Sequence, residues 1–364
     1  MENTYIRCNI WIIYLAIQLT LGIADMFNVV NDIVILSLSF SETLVQTMVI
    51  AKLIVLRYSC AFYRTIKDVE STFCENNFHS LHEEKKYMNY YHLAKKLYVV
   101  MMMFGTVTPI CYHLKPLEPL LRLTVDNDTR LSLDLPYRTY LPLSIDRPEL
   151  YVLIYIYQSP MVYLNAVHTA SVCLLISLVL HVCGRLSILS YRIRNISHSK
   201  GLSSFDDPKE VFRGIVGYHL EIIKLMKSID QTFGLLVLEE LIATTLMLGI
   251  TSYILLRCLE DAQAGVAMIM TFTVWTAAAV IVIYGYCLAG ECLISESSEV
   301  HDAYYHIRWY ELPDSYKLPI TICMMRANKP LRLTAAKFYQ FSLTNFTSIL
   351  KTAMAYVSLL RTMV

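Results

Sequence analysis

Apolar positions along this 364-residue chain gather into seven runs, separated by polar segments. They cover residues 10–29, 33–56, 97–114, 161–182, 234–256, 265–288 and 341–360. A helix rises about 1.5 Å per residue, so roughly 20 residues match the ~30 Å hydrocarbon core of a bilayer. Seven membrane-spanning helices are the expected architecture. The closing run stands apart: it carries Lys351 near its middle, with Ser342, Thr344, Asn345, Thr347, Ser348, Thr352 and Ser358 around it. An ammonium at that depth costs about 2.5–3.5 kcal/mol on insertion scales. This helix is therefore expected to face protein or a water-filled path, not lipid.

Composition supports the same class. The chain is 55% hydrophobic and only 17% charged, with a mean hydropathy of +0.46, whereas a soluble domain carries about a quarter charged residues. No soluble domain stands out, and residues 1–364 are expected to form a single seven-span domain, all-α and integral to the membrane. A net charge of +1 gives no reason to expect a nucleic-acid partner. The ten cysteines lack the paired spacing of a disulfide framework or zinc site. His79 and His82 could share a helix face, but spacing fixes no third ligand, so a solvated helix is expected there. Without a phosphate-cradling glycine loop, a zinc-protease helix or a nucleophile elbow, neither an enzyme nor a bound cofactor is expected.

Charge sets the expected orientation. Lysines and arginines concentrate before the first run and in the second-to-third, fourth-to-fifth and sixth-to-seventh connections, against only seven on the opposite side. The positive-inside rule then puts the amino terminus in the cytoplasm and the carboxyl terminus outside, the inverse of a G-protein-coupled receptor. The sequon Asn127-Asp128-Thr129 falls on the outer side, so Asn127 is the expected glycosylation site; Asn195-Ile196-Ser197 falls inside. The first run has a rival reading as a cleaved signal peptide, with small residues near Gly22 to Ala24, which leaves the other spans oriented as before.

Between the runs, residues 61–96 and 211–232 keep helical spacing, as at Val216, Leu220, Ile223 and Met226, and predict helices protruding below the membrane. Gly201 to Pro208 reads as a loop. Prolines at 116, 119, 136, 142, 148 and 160 argue against a long helix in the outer connection 115–160. Its Tyr137, Tyr140, Tyr151, Tyr155 and Tyr157 read first as interfacial anchors. Glu239 and Glu240 are expected at the inner interface of the fifth span. Glu42 lies mid-span and should point into the bundle, in a hydrogen bond to a neighbouring helix or beside a cavity. Thr352, Tyr356, Leu359 and Met363 recur at i, i+4, i+7 and i+11 on one face of the last helix, a stripe that by itself reads as packing more readily than as a pore lining.

The segment from Cys323 to Phe338, CMMRANKPLRLTAAKF, closely resembles the carboxyl-terminal motif of insect odorant receptors. So do Ser342-Leu343-Thr344-Asn345-Phe346, Ile349-Leu350-Lys351, Tyr356 and Leu359-Leu360-Arg361. Gly290-Glu291, Ser295-Glu296-Ser297, Val300 and Trp309-Tyr310 resemble that family's link into the last span. Weaker matches are Leu135-Pro136-Tyr137 and Tyr218 to Ile222. The specific resemblance covers about the last 80 residues. Ala336 stands where the family usually has glycine, and Asn345 where threonine is common. The few residues before the first span, fewer than the family shows, suggest an incomplete amino terminus.

The resemblance implies an odorant-gated, non-selective cation channel subunit in the plasma membrane, expected in dendrites of olfactory sensory neurons. It also implies a heterotetramer with the co-receptor Orco, with volatile small molecules as ligands and lipids around it. By family position Thr352, Tyr356, Leu359 and Met363 would line and gate the pore. The family's pocket lies among spans two, three, four and six, which here would draw on Ser39, Thr43, Phe104, Thr108, Met161, Asn165, Phe272 and Trp275. The alternative is a seven-span chemoreceptor that signals through a G protein or another soluble partner.

Overall fold

The computed structural model describes residues 2–30, 33–74, 78, 80–114, 116, 135–140, 148–195, 208–260, 266–307 and 314–363. Asn127, His79, residues 201–207 and most of the outer connection lie outside them. The elements in order are α1 (Glu2–Asn28), α2 (Ile33–Tyr58), α3 (Cys60–Cys74), α4 (Leu81–Leu114), α5 (Pro148–Gln158), α6 (Pro160–Asn195), α7 (Pro208–Glu260), α8 (Val266–His306) and α9 (Asp314–Ala327), followed by a hairpin of β1 (Thr334–Ala335) and β2 (Tyr339–Gln340), and α10 (Leu343–Met363). Among the described residues six helices are long and apolar enough to cross a membrane. The seventh, α10, has the length with 21 residues, and its polar positions keep it out of that set.

Helix starts follow local chemistry. Ser80 Oγ accepts from the Glu83 N–H at 3.3 Å, and Ser342 Oγ accepts from the Asn345 N–H at 3.2 Å, each as an N-cap. Prolines 148, 160 and 208 open α5, α6 and α7, at the helical position where a missing N–H costs nothing. The outer connection accordingly holds a short helix of 11 residues that Pro148 opens, and no long one among the described residues.

The long helices outrun the bilayer. At about 1.5 Å per residue α7 extends ~80 Å and α8 ~60 Å, against a ~30 Å core. The apolar parts are the C-terminal parts of α4 and α7 and the N-terminal parts of α6 and α8, so in this antiparallel bundle all four polar extensions leave at the same end. That end carries the basic residues.

A buried seam runs through α7 and ties the two halves together. Ile215, His219, Ile222, Met226, Ile229, Phe233, Leu236, Glu240, Ala243 and Met247 alternate at spacings of three and four, and every one is buried. This is the knobs-into-holes period of a coiled coil. Of the expected stripe Val216, Leu220, Ile223 and Met226, Met226 is on the buried face, whereas Leu220 is half exposed and Ile215, Ile222 and Ile229 point inward. α6 lies at the centre, apolar on all sides, and packs against α2, α4, α7 and α8. Its fully buried Arg185 sits over the Tyr218 ring at 4.6 Å and pairs with Glu221 at 3.1 Å, pinning α6 to α7 outside the apolar zone.

The hairpin was not legible as strands. Thr334 pairs with Gln340 and Ala335 with Tyr339, and the Asp230 carboxylate of α7 accepts from the Thr334 N–H and hydroxyl at 3.3 and 2.7 Å. Between the hairpin and α10, Phe341 lies against Gly290 of α8. A Cβ on Gly290 would stand 2.4 Å from the Phe341 carbonyl oxygen, so only glycine allows this approach.

Candidate ligand cavity and exposed face of the closing helix

A cavity of about 130 Å³ lies among α2, α4, α6, α7 and α8. Its wall includes Glu42, Val45, Gln46 and Met48 of α2, Met101, Phe104, Gly105, Thr108, Pro109 and Tyr112 of α4, and Met161, Asn165, His168 and Thr169 of α6. Glu240, Thr244 and Met247 of α7, with Trp275, Ala278, Ala279, Ile281 and Val282 of α8, supply the rest, and Tyr137 from the segment 135–140 joins them. An apolar cavity of roughly 150 Å³ takes up a benzene-sized molecule, so the scale fits a small organic ligand.

Several polar groups on the wall are occupied within the protein. Thr108 Oγ1 donates to the Phe104 carbonyl at 2.7 Å, Thr169 Oγ1 to that of Asn165 at 3.1 Å, and Asn165 Nδ2 to that of Met161 at 3.0 Å. Glu42 accepts from the Tyr112 hydroxyl and, at 2.9 Å, from the Arg138 N–H. Both sequence expectations for Glu42 therefore hold together: it bonds a neighbouring helix and lines a cavity. Tyr112 meets Trp275 edge-on at 5.2 Å between ring centroids, and Phe272 stacks behind Trp275 at 6.1 Å. These rings make one side of the cavity stiff.

A buried ionic cluster forms another part of the wall. Lys52 Nζ of α2 lies 2.5 Å from Glu240 Oε2, and His168 Nε2 of α6 lies 3.4 Å from Glu240 Oε1. Glu240 is 3% exposed and joins three helices, which overturns the interfacial position expected for it. Buried charges persist when paired and hydrogen-bonded, and Lys52 supplies the countercharge here. Sequence reasoning missed Lys52 and His168, although each is an ionisable residue inside an apolar run, the signal that singled out Glu42.

Of the eight residues expected around a ligand, Phe104, Thr108, Met161, Asn165 and Trp275 stand on the cavity wall. Ser39, Thr43 and Phe272 do not. Ser39 Oγ donates to Asp25 of α1 at 2.8 Å, Thr43 Oγ1 lies 3.6 Å from Met26 Sδ of α1, and Phe272 is fully buried with Tyr253, Ile254 and Cys258. Each faces a neighbouring helix, because helix rotation selects a stripe that the list by span does not resolve. Tyr137, read first as an interfacial anchor, is buried against Tyr112 at 5.4 Å.

On α10, Ile349, Ala353 and Val357 are buried, while Lys351, Thr352, Met354, Tyr356 and Leu359 are exposed. The helix packs on α7 and α8. Thr352 and Leu359 thus share a face turned away from this subunit's own bundle, and Tyr356 stands at its edge, 37% exposed and with its Cβ toward α7; Met363 is the last helical residue. Against α7 the approach is close: a Cβ on Gly249 would stand 2.9 Å from Tyr356 Cβ.

A family model described as 7tm Odorant receptor matches residues 36–354. The chain belongs to this family. Among curated relatives, Odorant receptor 22c of Drosophila melanogaster is 23% identical over 286 residues, covering 74% of this chain and 67% of that protein. Odorant receptor 67c of the same fly is 21% identical, with 52% of this chain and 45% of that protein covered. The fly Odorant receptor coreceptor is 26% identical, covering 39% of this chain and 28% of that protein. The chain thus spans less than half the length of the latter two. The olfactory receptor OR5 of Machilis hrabei, solved in complex with eugenol, superimposes with a TM-score of 0.83 at 15% identity, covering 97% of this chain and 88% of that one. This odorant receptor therefore has the insect olfactory receptor fold and is a multi-pass membrane protein.

Proposed function

We propose that this odorant receptor is the ligand-binding subunit of an odorant-gated, non-selective cation channel, working as a heterotetramer with the co-receptor Orco. The observation that carries the ligand reading is the cavity, mostly apolar, of small-molecule scale and walled by five helices. The eugenol bound by the similarly folded OR5 supports a small volatile ligand. Phe104, Thr108, Met161, Asn165 and Trp275 contact it in this reading, and Ser39, Thr43 and Phe272 support the wall from behind.

The pore belongs to α10. A subunit working alone would leave Tyr356 and Leu359 against lipid or water, whereas several copies around an axis turn Thr352, Tyr356, Leu359 and Met363 into a lining. A ring of leucines at its narrow point gates by dewetting. Assembly is supported outside the apolar zone by a second exposed stripe, Leu318, Ile322 and Met325 on α9, and by Phe338 at the hairpin, 86% exposed. The receptor lies in the plasma membrane of olfactory dendrites with its amino terminus in the cytoplasm, its carboxyl terminus outside and Asn127 glycosylated.

The test is to record currents from cells expressing the chain with and without Orco against a chemically broad odorant panel. Currents should need both chains and persist with G-protein signalling blocked. Trp275→Ala should weaken odorant potency about tenfold, the ~1–3 kcal/mol scale of a lost apolar contact, with surface expression intact. Leu359→Ala should raise the resting leak. Unchanged potency together with an unchanged leak overturns the assignment.

A further inference from the structure

A second cleft of about 360 Å³ opens between α3, α4 and α6, away from the ligand cavity. Val69, Ala94, Leu178 and Leu180 give it an apolar wall, interrupted by Ser177 and His181, and the exposed Lys95 and Tyr98 stand at its edge. On α4, Tyr87, Tyr91, Lys95 and Tyr98 recur at helical spacing and make one face of the cleft. Tyr87 is fixed there by its hydroxyl, 2.7 Å from His181 Nδ1. Lys95 is exposed and has no ion-pair partner among the described residues.

The cleft straddles a boundary. The apolar run of α4 begins at Leu97 and that of α6 ends at Val182, so Leu178, Leu180 and Tyr98 lie at membrane depth. Lys95 stands just beyond, with Lys85, Lys86 and Lys96 on the same polar extension. Lys95 and Lys96 adjoin the inner end of the span, with Lys85 and Lys86 about 16–18 Å from that end along the helix; lysines next to a span attract anionic lipid headgroups, each contributing about 1 kcal/mol near the surface. Half-exposed tyrosines at this level are interfacial residues. An apolar slot with a cation and ring hydroxyls at its mouth matches an acyl chain below a phosphate.

We propose that this cleft between α3, α4 and α6 is a binding site for an anionic phospholipid of the inner leaflet, with its headgroup at Lys95 and an acyl chain along Ala94, Leu178 and Leu180. The site is separate from the odorant cavity and rests on the basic end of the bundle facing the cytoplasm. Its test does not, because a symmetric bilayer presents the same lipid to both ends.

The full-length receptor is reconstituted into nanodiscs of phosphatidylcholine with a minor fraction of chain-matched phosphatidylserine, then released into mild detergent, and retained lipids are counted by native mass spectrometry. Phosphatidylserine should be retained at least fivefold over its share of the bilayer. Lys95→Glu, a change at an exposed position, should abolish that preference. Ala94→Trp, which fills the slot, should lower retention of both lipids, with the melting temperature of each variant checked against the parent. Equal retention of the two lipids by the parent, or a preference that survives Lys95→Glu in a folded variant, overturns the proposal.

Discussion

Ala336 and Lys337 have φ angles of 49° and 67°, in the left-handed region that suits glycine. They form a tight turn closed by the Phe338 N–H donating to the Ala335 carbonyl at 3.0 Å. A side chain in that region costs about 1–2 kcal/mol, of which glycine returns part through its greater freedom in the unfolded chain. Ala336→Gly should therefore stabilise the receptor by about 0.5–1 kcal/mol, read as a higher melting temperature of the purified protein. An unchanged or lower value would mean that the turn relaxes around alanine. The sequence marked position 336 as a departure from the family's glycine, yet gave no reason for the glycine. The reason is a turn only a few residues long, flanked by two-residue strands too short to show any alternation of apolar and polar positions.

At the scale of the element, α7 shows what periodicity can and cannot decide. Its helical character was legible from the apolar spacing over residues 211–232, but the inward face was not. Apolar residues occupy both 215 and 216, and both 222 and 223, so the choice between adjacent stripes falls to the partners α6 and α8. The same ambiguity hid Glu240, since two neighbouring carboxylates differ only in which one points into the seam. Removing that carboxylate strands the Lys52 ammonium in an apolar setting, which typically costs 3–5 kcal/mol. Glu240→Ala should therefore abolish or sharply lower surface expression. The double variant Lys52→Met with Glu240→Met should recover it, because replacing a buried ion pair by apolar residues of similar volume is often neutral or stabilising. Normal expression of Glu240→Ala, or no rescue by the double variant, would show that the pair does not hold α2 to α7.

Across the whole molecule, α7 and α8 both line the cavity and pack on α10, and α7 makes a backbone-close approach to it at Gly249. Glu240, Thr244 and Met247 line the cavity, and Gly249, half a turn further on, lies against Tyr356 of α10. A ligand shifts a conformational equilibrium only by its differential affinity for the two states. In the proposed channel, a displacement of α7 on filling of the cavity would be carried to α10 through this contact, where the missing side chain leaves no slack. Gly249→Ala places a methyl 2.9 Å from Tyr356 Cβ and forces the two helices apart, an overpacking that typically costs 1–3 kcal/mol. Gly249 lies outside the cavity wall, so direct odorant binding to the purified receptor should stay within about twofold of the parent. The current should change instead: the resting leak, or the odorant concentration for half-maximal response, should move by about fivefold or more, the factor that ~1 kcal/mol represents. Unaltered binding with an unaltered current would remove the Gly249–Tyr356 contact from the coupling path and direct attention to the packing of α8 on α10.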